Sequence, residues 1–233
     1  MLNILALDTS ATACSVALWC DGDIAANRFE IMARGHAEHL MPMVDEVMAQ
    51  TSVTAAKLDL IAVTTGPGAF TGLRLGLAAA RGLALALNIP CLGMMTTETL
   101  AAALPETSNE EVVLAALDSK RNDLYIQVFG AERNALGPPQ AVAPEHVARV
   151  MPSFGAGERC CAIVGDAQAA CVDILAAAGW LVRETEVTKP DAAVLARLAA
   201  ARWKPGMELM APAPLYLRSP DAVVPKDGGR IRR

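Results

Sequence analysis

Apolar and polar positions fall into two periods along this chain. Residues 2–7 form an apolar run closed by Asp8, after which Cys14, Val16 and Leu18 alternate with Ser15, Ala17 and Trp19. Asp21-Gly22-Asp23 is a turn signal, so 24–32 returns as a third strand and the chain opens as an antiparallel meander. Over 36–49, Leu40, Met43, Val44, Val47 and Met48 share one stripe, which predicts a helix. A buried strand over 60–65, a second helix over 70–87, a strand over 89–94 and a short helix over 97–104 follow. A strand at 162–166 ends in Gly165-Asp166, an Ala-rich helix covers 192–203, and prolines break 205–214.

The opening pattern recurs. Ile4-Leu5-Ala6-Leu7-Asp8-Thr9 is answered 110 residues later by Leu114-Ala115-Ala116-Leu117-Asp118-Ser119, and Val16 and Leu18 match Ile126 and Val128. An apolar strand, an Asp-hydroxyl turn and an alternating strand thus occur twice, which suggests two lobes of similar build.

The chain has 233 residues, 53% hydrophobic and 19% charged, too apolar for a disordered segment and long enough for one or two cores. A formal net charge of −5 argues against a broad nucleic-acid-wrapping surface and leaves only a local patch or a partner for RNA contact. The most apolar stretch, 73–92, contains Arg74, Arg81 and Pro90, so no membrane span is expected. The N-terminus has no basic region before its apolar run, and a signal peptide is not expected. Six cysteines without a C-x-x-C pair read as reduced thiols that act as small hydrophobes, and a cytoplasmic location follows from these readings. From Arg218 onward, five basic residues face two acidic ones. A solvated tail and an RNA or partner contact both fit that stretch.

Gly66-Pro67-Gly68-Ala69-Phe70-Thr71-Gly72-Leu73-Arg74 lies between a strand and a helix. It has neither the Walker A sequence nor dinucleotide-fingerprint spacing. A tight turn and an anion contact at a helix N-terminus are both open. Asp8-Thr9-Ser10 can hold a magnesium-bound phosphate or form a self-capped turn, and Asp118-Ser119 echoes it. Facing loops of this kind would make a nucleotide cleft from Asp8, Thr9, Ser10, Gly66, Gly68 and Asp118, with ATP or ADP and magnesium as its ligand. His36 and His39 have no apparent third metal ligand and read as surface residues at a helix start. No Ser-His-Asp set or reactive-cysteine context is present. Gly72, Gly76, Ala80 and Ala84 are spaced four apart, a small stripe against which another helix can lie, and Met41, Met43 and Met48 suit an adaptable contact surface. Helices this apolar are either deeply buried or shared with a partner.

ILALDTS, RGHAEHLMP, GPGAFTGLRLGLAAARGLALALNIP, ALDSKRNDLYIQVF, VGD and PLYLR together resemble the bacterial TsaB (YeaZ) family, in family order over about 215 of the 233 residues. The resemblance implies an α/β fold of the actin, Hsp70 and sugar-kinase class, with two ribonuclease H-like lobes of mixed sheets flanked by helices. On this chain it places one lobe at 1–104, a smaller one at 105–189, a helix and tail at about 190–217 that return to the first lobe, and a basic tail at 218–233. It also implies a non-catalytic scaffold in the formation of threonylcarbamoyladenosine on tRNA. That scaffold dimerises with the catalytic subunit TsaD, joins the ATPase TsaE, pairs with itself when alone, and meets tRNA only through the complex. TsaD's H-x-x-x-H metal pair is replaced here by His36 and His39 at H-x-x-H spacing. Family pairing uses the first two helices, which places partner contacts at His36, His39, Leu40, Met43, Val47, Thr71, Arg74, Leu77 and Arg81. The rival readings are an ATP-dependent enzyme of the same fold and a peptidase.

Overall fold

Strand β1 (Asn3–Ala11) is buried over eight of its nine residues, because both faces of its sheet are covered. This explains an uninterrupted apolar run where a one-faced strand would alternate. In the computed structural model, which describes residues 2–105, 111–152 and 159–218, β1 pairs antiparallel with β2 (Ala13–Cys20), and β2 with β3 (Asp23–Ile31). β4 (Leu60–Gly66) lies parallel beside β1, and β5 (Cys91–Met95) completes the order β3-β2-β1-β4-β5. Helices α1 (His36–Ala49) and α2 (Phe70–Leu87) cover one face of this sheet, and α3 (Thr96–Ala102) leads out of it.

The second sheet repeats the plan. β6 (Val112–Asp118), β7 (Leu124–Phe129) and β8 (Gln140–Val142) form a meander. β9 (Cys160–Val164) and β10 (Leu181–Glu184) run parallel to β6 on its other side, giving β8-β7-β6-β9-β10. α4 (Val147–Val150) and the crossover helix α5 (Ala169–Ala177) cover one face. α5 joins β9 to β10 as α2 joins β4 to β5. The architecture is the expected α/β class, two ribonuclease H-like sheets flanked by helices.

The uncovered face of the first sheet is closed from far along the sequence. Helix α6 (Ala192–Arg202) buries Ala192, Ala193, Leu195, Ala196 and Ala199 against Ile4, Ala6, Ala17, Leu60 and Ala62. Burying Leu195 fully contributes about 2 kcal/mol. Asp191 caps this helix, accepting from the Ala193 amide at 2.8 Å, and Ser15 Oγ accepts from the Ala192 amide at 2.9 Å. After α6 the chain crosses back: the Leu215 amide donates to Thr65 O at 2.8 Å, and Arg218 Nε pairs with Asp123 Oδ2 of the second lobe at 2.7 Å.

β8, α4, α5 and β10 are absent from the pattern reading because each is short or apolar on every side. β5 starts at Cys91 rather than 89, since the Ile89 amide instead donates to Ala84 O at the end of α2 and Pro90 has no N–H to give. α2 is long and apolar enough to cross a membrane, yet it lies on the first sheet with Gly72, Leu73, Gly76, Leu77, Ala80 and Ala84 buried. All six cysteines are free. Burial pushes the Cys161 thiol up to about 12 and that of Cys171 up to about 11, so both behave as hydrophobes. The basic tail beyond Arg218 lies outside the described residues.

Candidate functional site

A cleft of about 820 Å³ opens between the lobes. Its walls come from the end of β1 (Ser10), the start of α2 (Gly68 to Thr71, and Arg74), the β6–β7 turn (Asp118 to Arg121), Asp166 after β9, and the C-terminal segment from Leu215 to Arg218.

The six residues expected to form a nucleotide cleft separate. Ser10, Gly68 and Asp118 line it, whereas Asp8, Thr9 and Gly66 lie beneath it. Asp8 has no exposure, and its carboxylate accepts from Thr64 Oγ1 at 2.5 Å, Ser10 Oγ at 2.8 Å and the Ser10 amide at 3.2 Å. Burial raises its pKa from 3.8 to about 6, against the pull of those hydrogen bonds. Such a carboxylate is buried beneath the cleft and held by its own strand end, so the Asp8 metal–phosphate reading is corrected to a buried, hydrogen-bonded strand end.

Asp118 has the opposite environment. Its side chain is 40% exposed, and it accepts from the Lys120 amide at 2.6 Å and from Lys120 Nζ at 2.9 Å. Slight desolvation works to raise its pKa, but the hydrogen bonds and charge of Lys120 outweigh it and hold the acid below its usual value. Asp166 Oδ1 accepts from the Asp118 amide at 2.9 Å, and its other oxygen lies 3.7 Å from Lys120 Nζ. Lys120 thus stands between the two carboxylates in the place a cation would take.

The glycine motif resolves as close packing. A Cβ on Gly68 would lie 2.3 Å from Ser10 O, one on Gly72 2.0 Å from Thr9 O, and one on Gly76 2.5 Å from Thr9 Oγ1. Thr9 Oγ1 also donates to Gly72 O at 2.7 Å, and the Ala69 amide to Ser10 O at 2.7 Å. The small stripe of α2 therefore faces β1 of its own lobe, not a partner helix.

The expected partner contacts divide as well. Leu40, Met43, Val47 and Leu77 are at most 3% exposed and belong to the first lobe's core. Their assignment to a partner surface is corrected: a helix turns its most apolar stripe toward its own sheet first. His39, Thr71, Arg74 and Arg81 are exposed. His36 Nε2 lies 3.1 Å from Ala11 O and His39 Nδ1 lies 3.4 Å from Glu30 Oε2, so the two rings take separate partners. The outward side of α2 carries a second small stripe, Ala78, Gly82 and Ala86, beside Leu85, which is 83% exposed. A Cβ on Gly82 would meet nothing within 4 Å.

Residues 29–225 match the family described as TsaD: tRNA N6-adenosine threonylcarbamoyltransferase. The tRNA threonylcarbamoyladenosine biosynthesis protein TsaB of Escherichia coli (strain K12) is 31% identical over 224 residues, covering 94% of this chain and 95% of its own. The chain belongs to the TsaB family. The protein of the same name from Haemophilus influenzae is 38% identical over 132 residues, 57% of this chain and 56% of its own. YeaZ from Pseudomonas aeruginosa superimposes with a TM-score of 0.76 at 31% identity, over 93% of this chain and 100% of that one. A second Pseudomonas aeruginosa structure, described as similar to peptidase YEAZ, gives 0.80 at 31% identity over 94% and 100%. Among the described residues of this TsaB-family chain, no serine hydroxyl is bonded to a histidine, the link a serine peptidase needs.

Sequence reasoning missed Phe70, Lys120 and Tyr216 as cleft residues. Arg74 Nε donates to Tyr216 Oη at 2.8 Å across 142 residues of sequence, a meeting that no local signal reports.

Proposed function

We propose that this chain is a non-catalytic subunit in the formation of threonylcarbamoyladenosine on tRNA, and that it works by holding a TsaD-type catalytic subunit in its active arrangement. The observation that carries this reading is the sealed Asp8: the strand end that would grip a metal-bound phosphate is consumed by its own hydrogen bonds, while Lys120 neutralises the opposite carboxylates. A cleft so arranged is a poor catalyst but a rigid scaffold. ATP or ADP with magnesium then belongs to the assembled complex. The two lobes, 1–104 with the returning 190–217 and 105–189, act as one support.

The pairing surface in this proposal is the outward side of α2, with His39 and Met41 of α1 beside it. Ala78, Gly82 and Ala86 let a partner helix approach closely, Leu85 supplies an apolar contact, and Arg74 and Arg81 frame them. Alone, the chain pairs through this surface with its own copy; in the cytoplasm it pairs with TsaD, and TsaE joins the pair.

Co-purification with TsaD tests the proposal. Wild-type chain and the core-conservative Leu77→Met are expected to retain TsaD. Gly82→Gln is expected to lose it while keeping a full melting transition, since the new side chain meets only solvent in the lone chain. Retention of TsaD by Gly82→Gln and Leu85→Asp alike would show that α2 is not the pairing face.

A further inference from the structure

The first sheet ends on a long, bare strand. β3 runs over nine residues, whereas the other sheet edges, β5, β8 and β10, have five, three and four. Its register with β2 is unbroken from Ala13 opposite Ile31 to Leu18 opposite Ala26. The Met32 amide donates to Thr12 O. By alternation, Ala26, Arg28 and Glu30 turn their backbone groups toward β2, and Asn27, Phe29 and Ile31 turn theirs outward. Among the described residues nothing pairs with that outer edge. Proteins usually keep such edges short or covered, because a free row of N–H and C=O groups is a template for another strand.

The side chains add a second, independent observation. Phe29 and Ile31 are 38% and 74% exposed. Both lie on the sheet face that carries α6, since Phe29 stands opposite Ser15, whose hydroxyl bonds to α6. Ala26 and Met32 pack with the α1 core on the other face, where Arg28 Nε pairs with Glu46 Oε2 of α1 at 2.9 Å. Laid antiparallel against itself about Phe29, the strand is self-complementary: Phe29 meets Phe29, Asn27 meets Ile31, Arg28 meets Glu30 and Ala26 meets Met32. A two-fold axis one residue away sets Arg28 against Arg28 or Glu30 against Glu30, and like charges directly opposite are unfavourable. Arg28 and Glu30 already pair within the strand at 2.8 Å and are part-exposed, so charge selects the register and does not drive the contact.

We propose that β3 pairs edge to edge with β3 of a second copy of this chain, antiparallel about Phe29, so that the two five-stranded sheets run on as one. Backbone hydrogen bonds at Asn27, Phe29 and Ile31, and the cover each Phe29 ring gives the other, supply the attraction. Arg28 against the partner's Glu30 sets the register. An unrelated extended segment can use the same backbone groups, but a second copy answers every position from Ala26 to Met32. This surface is separate from the outward side of α2. A chain engaged there by its catalytic partner keeps β3 free, and two such assemblies join through it. The inference goes beyond the role proposed above and does not depend on it.

The test is sedimentation equilibrium of the whole chain carrying Gly82→Gln and Leu85→Asp, which removes pairing through α2. A contact of this size belongs with weak interfaces, so self-association with a dissociation constant of about 10 to 100 µM is expected. Arg28→Glu and Glu30→Arg, each added singly, should weaken it about tenfold. An equimolar mixture of the two should return to within about threefold of the parent, because every like-charged pair becomes an opposite one across the axis. Asn27→Pro should abolish the pairing and keep the melting transition, since the amide it removes bonds nothing in the lone chain. A failed α2 surface shows instead in the co-purification with TsaD, which Arg28→Glu should leave unchanged. A parent chain that stays monomeric and leaves the edge to some other extended segment, a dimer indifferent to both charge variants, or a mixture no tighter than its components would each overturn the proposal.

Discussion

Asp8 and Asp118 end matching strands in matching sheets, and they face opposite ways. Asp8 alternates with Ile4 and Ala6, whose face is covered by α6, and it bonds to Thr64, which alternates with Ala62 on that same face. Asp118 alternates with Leu114 and Ala116, on the face covered by the crossover helix α5. The first sheet's crossover helix, α2, covers Leu5 and Leu7 instead. The 110-residue echo is therefore one residue out of structural register. The hairpins show the same slip: Ala6 opposes Ala17 in the first, whereas Ala116 opposes Ile126 rather than Gln127 in the second. In a structure of period two, one residue sends a side chain to the other face. Two similar peptides have become a buried acid raised to about 6 and a solvated acid held low by a lysine.

The contrast breaks most severely if a second carboxylate is forced into the first lobe. Leu40→Asp or Leu77→Asp would bury a charge without the three hydrogen bonds Asp8 has, at a cost of about 4 kcal/mol or more. Loss of the cooperative melting transition is the expected result, so neither substitution can isolate a partner contact. Asp8→Asn sharpens the contrast. The folded chain holds the Asp8 proton to about pH 6 and the unfolded chain only to 3.8. Asp8's contribution to stability is thus fully present below pH 4, falls by about 3 kcal/mol as pH rises to 6, and then levels off. Urea titrations across this range should show that slope vanish in Asp8→Asn. Gly72→Ala tests the packing that seals the acid: its Cβ meets a backbone carbonyl, so α2 must shift, at about 2 kcal/mol in a denaturant midpoint. The smallest effect belongs to the second lobe. Lys120→Met should change stability by less than about 0.5 kcal/mol, because the pair is 40% and 65% exposed, while carboxyl-resolved NMR titration shows Asp118 rising.

The regular elements of the first lobe were legible because their periods are long and clean. His36–Ala49 and Phe70–Leu87 are the expected helices to the residue, and the duplicated plan was visible in Asp8 and Asp118 before any coordinates. The direction in which those helices face was not legible. Period alone marks an apolar stripe without saying whether a sheet or a partner covers it, so Leu40 and Leu77 were expected at a surface and lie in the core. The register of the echo was hidden for a similar reason: the slip arises with an irregularity between Asp8 and Ala11 that only pairing reveals. The cleft mouth joins positions 142 residues apart, and PLYLR carries no sign that its tyrosine reaches Arg74.

Closure of the first sheet by α6 sets an order of events during synthesis. The strands from Ile4 to Met94 leave the ribosome early, yet the helix that shields their second face begins at Ala192, and its bond to Ser15 spans 177 residues. At about 5 to 20 residues per second, the bare strands wait roughly 5 to 20 s for their cover. A stop codon placed before that helix would release a polypeptide with an intact meander and an oily, unshielded flank, the natural quarry of chaperones and proteases.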